Sequence, residues 1–250
     1  MQATSSAHVV SFPWRRAGRA FGEVAATRRI LRSADGVRFA VVGRTSGGDG
    51  TRNVSRSLSA RRILVLVQWA DARAAVRGRA ILETHWRERG AQVWSVGLAP
   101  FRASGTWRGE TAFVPDPGES APVGHALIAS LTYARIRPTK MAHFYLLGFP
   151  RVARRMTGDD SPMLAGVGFG DVPVRHACTF SVWPSTEELA RLVHGRSEAH
   201  GIISRRSNDE EWLAESLFAR FVVIDHAGFW AGADPLATSR GNPGPGTRPG

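Results

Sequence analysis

The stretch RRILVLVQWADARAAVRGRA, residues 61–80, decides the fold because a similar stretch occurs again later in the chain. The second stretch is RHACTFSVWPSTEELARLVH, residues 175–194. In each, a run of strand-forming residues ends in a tryptophan, Trp69 or Trp183, and a polar break then leads into an amphipathic helix. The offset between the two copies is constant at 114 residues. This internal repeat predicts that the chain folds as two similar halves.

The segments around the two copies also correspond. A strand end, a helix, a turn and a strand precede each copy, and a closing strand follows it: AQVWSVGLAPF at 91–101 and LFARFVVID at 217–225. Each half therefore has the order β-α-β-β-α-β, which is typical of the ferredoxin-like unit. Two such units predict an α+β fold in which tandem ferredoxin-like repeats form a pseudo-dimeric α+β barrel with its helices outside.

The composition along the chain divides it into four parts. We expect a first ferredoxin-like half at 8–104, a Gly/Pro-rich connecting loop at 105–124 and a second half at 125–231. The tail at 232–250 is polar and rich in glycine and proline, which predicts disorder. The stretch GRTSGGDGTRN, residues 43–53, has the composition of a loop within the first half and lacks a phosphate-binding motif.

The overall composition narrows the function classes. The 250 residues are 43% hydrophobic, and no stretch reaches the roughly 18 uncharged apolar residues of a membrane span. We therefore expect a cytoplasmic protein. The only cysteine, Cys178, excludes an intramolecular disulfide and a cysteine-rich metal motif.

The net charge of +12 has two interpretations. It would attract nucleic acid or an anionic membrane surface. However, Lys140 is the only lysine, and the arginines are scattered along the chain rather than gathered with aromatic residues into one block. This distribution argues against a nucleic-acid partner and leaves peripheral membrane association open.

His176 opens the strand of the second copy and shares a face with Cys178 and Phe180, since alternate side chains of a strand point the same way. A histidine on such an apolar face suits a buried structural role as well as a role in ligand binding. Arg62 stands at the equivalent place in the first copy. A residue required only for the shape of the fold would be expected to have similar bulk in both halves, which favours a function for His176.

His200 lies in SEAHGIISRR, residues 197–206, which has a short helical pattern. One interpretation is a histidine that faces solvent. The other is a ligand to a planar cofactor, because this helix would lie against the open face of the second sheet and imidazole is an effective axial ligand of haem iron. The 114-residue offset pairs His200 with Trp86, so a ligand at this place occurs once per chain.

Several motifs, in order and spacing, resemble the spheroidene monooxygenase family, the carotenoid ketolases of purple bacteria and their relatives. The resemblance runs from about Trp14 to about Trp230. The motifs are GRTSGGDGT at 43–51, FRASGTWRGETAF at 101–113, IASLTYARIRP at 128–138, VPVRHACTFSVWPS at 172–185, the histidine at 200, EEWLAESLFARF at 210–221 and GFW at 228–230.

The resemblance implies a monooxygenase that carries iron in haem b and takes electrons from an external donor, a small redox partner such as a ferredoxin. The implied substrate is a long hydrophobic molecule of the carotenoid type. The implied fold is that of the dimeric α+β barrels, which include chlorite dismutases and dye-decolourising peroxidases. In those haem proteins the iron-ligating histidine comes from a helix of the C-terminal half.

Carried onto this chain, the resemblance assigns His200 to the iron and His176 to the cofactor pocket as the second choice. It makes Arg137, in the I-R-P motif, a candidate catalytic residue that binds a haem propionate or iron-bound oxygen. Tyr133 departs from the family pattern, which has a basic residue there. This departure puts the identity of the substrate in doubt.

Two other functions stay open at this point. The haem could serve a dehydratase, a peroxidase or a rearrangement in secondary metabolism, or the protein could carry haem or a lipophile without catalysis. The sequence also leaves open whether the chain forms an oligomer.

Overall fold

A computed structural model of the protein describes residues 2–48, 50–55, 57–122, 126–170, 175–194 and 212–237. The strands in these ranges are β1 Ser5–Ser11, β2 Val37–Ser46, β3 Arg52–Asn53, β4 Leu58–Trp69, β5 Gln92–Gly105, β6 Ile128–Ile136, β7 Ala165–Gly170, β8 His176–Trp183 and β9 Leu213–Gly228. The helices are α1 Arg19–Ser33, α2 Ala72–Glu88, α3 Met141–His143, α4 Phe149–Thr157 and α5 Thr186–His194. A π-helical turn, Phe144–Gly148, joins α3 to α4.

The strands form one closed antiparallel barrel made of two four-stranded halves. The first half has the order β2-β4-β1-β5 and the second has the equivalent order β7-β8-β6-β9. Pairing of β5 with β9 and of β2 with β7 joins the halves along both edges. The structure confirms the predicted fold class, because each half has the strand order of a ferredoxin-like unit.

The two seams of the barrel differ in length. β5 and β9 pair from Trp94 opposite Gly228 to Gly105 opposite Leu217. β2 and β7 share only two pairs, Arg44 with Gly170 and Thr45 with Phe169. At this short seam, a Cβ atom on Gly43 would lie 2.9 Å from the backbone of Gly170. A side chain at position 43 would therefore force the two strands of this seam apart.

Side-chain alternation along the strands separates an inner core from two outer layers. Leu64 and Leu66 of β4 and Phe180 of β8 belong to the cluster that fills the barrel interior. A second cluster packs α1 and α2 on the outer face of the first half, and a third packs α4 and α5 on the outer face of the second half. The helices thus cover the outside of the barrel, as the repeat predicts.

The tryptophans that mark the repeat end equivalent strands. Trp69 and Trp183 are both buried, and each indole Nε1 donates a hydrogen bond to a serine Oγ, that of Ser6 at 3.0 Å and that of Ser181 at 2.9 Å respectively. The helix that follows each strand begins at a side-chain cap. Asp71 Oδ1 accepts from Ala74 N at 2.8 Å, and Ser185 Oγ accepts from Glu188 N at 3.3 Å.

The described part of the connecting segment, residues 105–122, enters the barrel instead of passing over it. Trp107 and Phe113 are almost fully buried in the interior cluster. The Trp107 ring stacks on Tyr133 with a centroid distance of 4.1 Å and an interplanar angle of 16°. The backbone N–H of Phe113 donates to Gln68 Oε1 at 2.7 Å. Burial of Trp107 and Phe113 stabilises the folded protein more than their exposure in a surface loop would.

Two further segments differ from the sequence-based expectation. The stretch 43–53 reaches the second half, where β3 pairs in parallel with β7 and Arg52 Nη1 donates to the Ser161 carbonyl at 3.0 Å. Residues 232–237, within the predicted disordered tail, are placed, and Leu236 is buried in the interior cluster. Residues 238–250 lie outside the described residues. No helix in the described part of the chain is long and apolar enough to cross a membrane.

The Gly43 seam can be tested with a matched pair of glycine substitutions. We expect Gly43→Ala to lower the free energy of unfolding by about 1–3 kcal/mol, because the new Cβ meets the Gly170 backbone. The control is Gly22→Ala in α1, where a Cβ would meet nothing within 4 Å; helix propensity predicts a gain of about 0.5–1 kcal/mol. Urea unfolding measures both, and equal effects would contradict a close seam.

Candidate functional site

A cavity of about 440 Å³ lies between the sheet and the helices of the second half. Its floor is the outer face of strands β5, β9, β6 and β8, and its roof is the π-helical turn with α4 and α5. The main roof residues are Phe144, Phe149, Val152, Met156 and Leu189. A volume of this size falls within the range of about 300–1,000 Å³ that small-molecule and cofactor pockets occupy.

At the floor of the cavity, two side chains of β8 are smaller than their counterparts on β4, and a third is polar where its counterpart is aliphatic. At three equivalent places the first half carries aliphatic residues packed beneath its helices: Ile63, Val65 and Val67. The 114-residue offset places small or hydroxyl-bearing residues there in the second half: Ala177, Thr179 and Ser181. Above Ala177 and Ser181, space that Ile63 and Val67 fill in the first half is therefore open in the second.

The central strands of the two halves show the same difference. In the first half, β4 residues Ile63 and Val65 lie opposite Val10 and His8 of β1. In the second half, the corresponding partners on β6 are Ala134, opposite Ala177, and Thr132, opposite Thr179. Both Ala134 and Thr132 line the cavity. The small residues on two adjacent strands thus form a continuous shallow floor.

Two arginines lie at the edge of this floor. Arg102 of β5 and Arg220 of β9 are register partners, and both line the cavity. Burial, and then the positive charge of Arg102, lowers the pKa of the Arg220 guanidinium. The cavity therefore joins an apolar roof to a cationic edge.

A second cavity, of about 500 Å³, lies on the other side of the same helical segment. It is lined by residues of α3 and the π-helical turn, among them Met141, Tyr145 and Leu146, and by the start of β8. Phe149 and Ala177 line both cavities. We call the first the sheet cavity and the second the end cavity.

The structure describes two of the three predicted site residues, and one of these two lines a cavity. His176 is half-buried in the wall of the end cavity, with its ring edge-on to Tyr133 at a centroid distance of 5.3 Å. Arg137 is exposed and lines neither cavity; its backbone N–H donates to the Trp212 carbonyl at 2.9 Å. His200 lies outside the described residues. Within the described ranges, no group of three or more His, Cys, Asp or Glu side chains is placed to hold a metal ion.

Sequence reasoning missed Glu215, which joins three segments at the end of the barrel. Its carboxylate accepts hydrogen bonds from Thr106 Oγ1 at 2.9 Å and Gly109 N at 2.6 Å, both in the connecting segment. It also accepts from Tyr133 Oη at 3.3 Å and from Arg135 Nε at 3.2 Å. Cross-strand register brings these groups together, since Glu215 lies opposite Arg135. The sequence signal that could have indicated this site is Tyr133, which stands where the family pattern has a basic residue.

The electrostatics of Glu215 and Tyr133 follow from these contacts. Burial raises the pKa of Glu215, but the donors from Gly109, Thr106, Arg135 and Tyr133 lower it by more, so the net pKa lies below its ordinary value. Burial, followed by the negative charge of Glu215, raises the pKa of the Tyr133 phenol. Glu215 is therefore an anion and Tyr133 a neutral donor at neutral pH.

Comparison with known proteins relates the chain to three curated spheroidene monooxygenases. The spheroidene monooxygenase of Rhodobacter capsulatus is 32% identical over 169 residues, which cover 68% of this chain and 68% of that protein. The spheroidene monooxygenase of Rubrivivax gelatinosus is 30% identical over 201 residues, covering 79% of this chain and 73% of that protein. No family model matches the chain.

A solved aldoxime dehydratase structure has a similar fold. The TM-score is 0.57 at 13% identity, with 93% of this chain and 86% of that chain covered. At this identity the likeness shows the fold alone.

Glu215→Gln tests the role of the carboxylate in joining the connecting segment to the barrel. We expect it to lower the free energy of unfolding at pH 7 by about 2 kcal/mol, because a charged acceptor of several hydrogen bonds is lost. Since the folded pKa of Glu215 is lowered, the wild-type advantage should be complete above a pH of about 4.3 and shrink as the pH falls further.

The control for this measurement is Glu88→Gln, at an exposed position near the end of α2. It should change the free energy of unfolding by no more than about 0.5 kcal/mol. A Glu215→Gln effect that is as small as the control, or that does not depend on pH, would show that the carboxylate does not hold the connecting segment.

Proposed function

The chain belongs to the spheroidene monooxygenase family, and we propose that it is a haem-dependent monooxygenase that oxidises a hydrophobic small molecule of the carotenoid type. The observation that carries this proposal is the sheet cavity. It lies in the second half, where Ala177 and Ser181 stand at the places of Ile63 and Val67 in the repeat.

The residues of the sheet cavity suit a haem. A flat floor of small residues, including Ala134, Ala177 and Thr179, and an apolar roof that includes Phe149 and Val152 fit a planar macrocycle. The cationic edge suits the carboxylates that such a macrocycle carries. The apolar roof would exclude water from the bound group.

We assign the iron to His200. The repeat pairs it with Trp86, which is buried in the layer between α2 and the outer face of the first-half sheet. His176 is the second candidate, since its half-buried ring lies in the wall of the end cavity. Arg137 remains a predicted catalytic residue whose side chain lines neither cavity.

A bound haem would supply the iron at which oxygen is activated with electrons from an external donor, for which we propose a ferredoxin-like partner. The chain's own residues position the substrate. The end cavity has Met141, Tyr145 and Leu146 in its wall, so it suits a long apolar molecule. Because the two cavities share Phe149 and Ala177, a substrate in the end cavity would lie next to a group in the sheet cavity.

The helical segment between the cavities also offers a route for a lipophilic substrate. Leu146 and Leu147 on the π-helical turn are 70% and 39% exposed, and Lys140 and the exposed Arg151 lie nearby in the chain. Apolar side chains flanked by cations suit an anionic membrane surface. We therefore propose peripheral membrane association through this segment.

Vesicle co-sedimentation tests the membrane proposal. The wild type should bind vesicles containing phosphatidylserine and bind neutral phosphatidylcholine vesicles several-fold less. The double variant Leu146→Ser/Leu147→Ser should lose most of this binding. The control is Val76→Ser in α2, a 69% exposed apolar residue on the other half. Equal binding by both variants would exclude this segment as the contact.

Haem binding is tested by reconstitution with hemin and absorption spectroscopy. The wild type should give a Soret band. His200→Ala should shift or abolish it because the axial ligand is lost. His176→Ala should retain the wild-type band position. The matched control is His143→Ala, an exposed histidine of α3. Absence of a Soret band in the wild type, or an unchanged band in His200→Ala, would remove the proposal.

Turnover assays separate the proposed activity from the alternatives. A monooxygenase requires both oxygen and a reductant, so omission of either should abolish product formation from a carotenoid substrate. Turnover without oxygen would favour a dehydratase or rearrangement, and turnover that requires peroxide alone would favour a peroxidase. Tight haem binding with no product under any of these conditions would favour a carrier.

A further inference from the structure

The arginine pair at the edge of the sheet cavity has an unfavourable arrangement in the protein alone. Arg102 and Arg220 lie directly opposite each other on β5 and β9, the seam that joins the two halves. Like charges directly opposite across two strands destabilise a sheet. Arg220 is partly buried as well, so water screens its charge less than that of a surface arginine.

Among the described residues, no carboxylate compensates this pair. Two other arginines that contact strands β6 and β9 are paired with carboxylates: Arg79 of α2 forms a salt bridge with Asp225 of β9 at 2.6 Å, and Arg135 of β6 forms one with Glu215 of β9 at 3.2 Å. In the described part of the chain, Arg102 and Arg220 have no such partner. The lowered pKa of Arg220 has the same origin, since burial and the charge of Arg102 both disfavour its cationic form.

The surroundings of the pair define the ligand that would relieve the repulsion. Ser104 and Ser130 offer hydroxyl groups beside the arginines, Ser130 lying opposite Arg220 on β6. The rest of the cavity is formed mainly by small floor residues and an apolar roof. A guanidinium binds carboxylates through paired N–H donors in a fixed plane. The matching ligand therefore has an apolar planar body with carboxylates along one edge.

We propose that Arg102 and Arg220 form the binding site for the carboxylates of a porphyrin held in the sheet cavity. This inference rests on the proposed function and deepens it, because it fixes which edge of the macrocycle faces the β5–β9 seam. The assignment gives the propionate-binding role to Arg102 and Arg220, whereas sequence reasoning gave it to Arg137.

The test uses metal-free protoporphyrin IX, so that binding does not depend on an iron ligand. Its dissociation constant is measured by porphyrin fluorescence for the wild type, Arg102→Gln and Arg220→Gln. We expect each variant to bind at least about tenfold more weakly, because a charge-assisted contact to a carboxylate is lost. The matched control is Arg77→Gln, an exposed arginine of α2 with the same change in charge, which should bind like the wild type.

The second measurement is the binding of protoporphyrin IX dimethyl ester to the same variants. The ester keeps the macrocycle but lacks free carboxylates, so the variants should bind it within about twofold of the wild type. The inference is overturned by equal losses for acid and ester, by no loss for the acid, or by a wild type that binds neither. Carboxylate-dependent binding with no oxygen-dependent turnover would leave the inference in place and remove the proposed function. A Soret band that depends on His200, together with wild-type binding of protoporphyrin IX by both arginine variants, would support the proposed function and overturn this inference.

Discussion

The size of the side chains on the outer faces of β6 and β8 determines how much space is left beneath the helices of the second half. The repeat gives both halves the same strand order, the same terminal tryptophan and a capped helix. Where the first half packs Ile63 and Val67 under its helices, the second half has Ala177 and Ser181. Core packing fills such space tightly wherever it is purely structural. The space between sheet and helices is therefore filled by side chains beneath the helices of the first half and forms a cavity in the second.

The closed barrel leaves its own interior unavailable for a ligand. Side chains from the strands fill it, and the connecting segment adds Trp107 and Phe113 to the same cluster. Glu215 fastens that segment through Thr106 and Gly109. With the interior occupied, the space for a ligand lies between sheet and helices, under α4 and beside the seam that joins the halves.

The sequence predicts the strands and helices, because local patterns within short segments determine them. Alternation, the terminal tryptophan and the polar break after it predict the strand and helix of each copy, and the constant offset predicts the barrel. The burial of Trp107 and the four-donor site at Glu215 could not be predicted, because strand register joins residues from distant segments. The pairing of Arg102 with Arg220 arises in the same way, across the β5–β9 seam. His176, identified from its strand, lines a cavity whose other walls come from α3 and β2.

The central claim is that the small floor residues of the second half make room for a haem. A crystal structure of the protein reconstituted with hemin tests it most directly. The account predicts the macrocycle between Thr132 and Thr179 on the floor and Phe149 and Val152 on the roof, with a propionate at Arg220. A macrocycle bound on the first half, or in the end cavity alone, would contradict it.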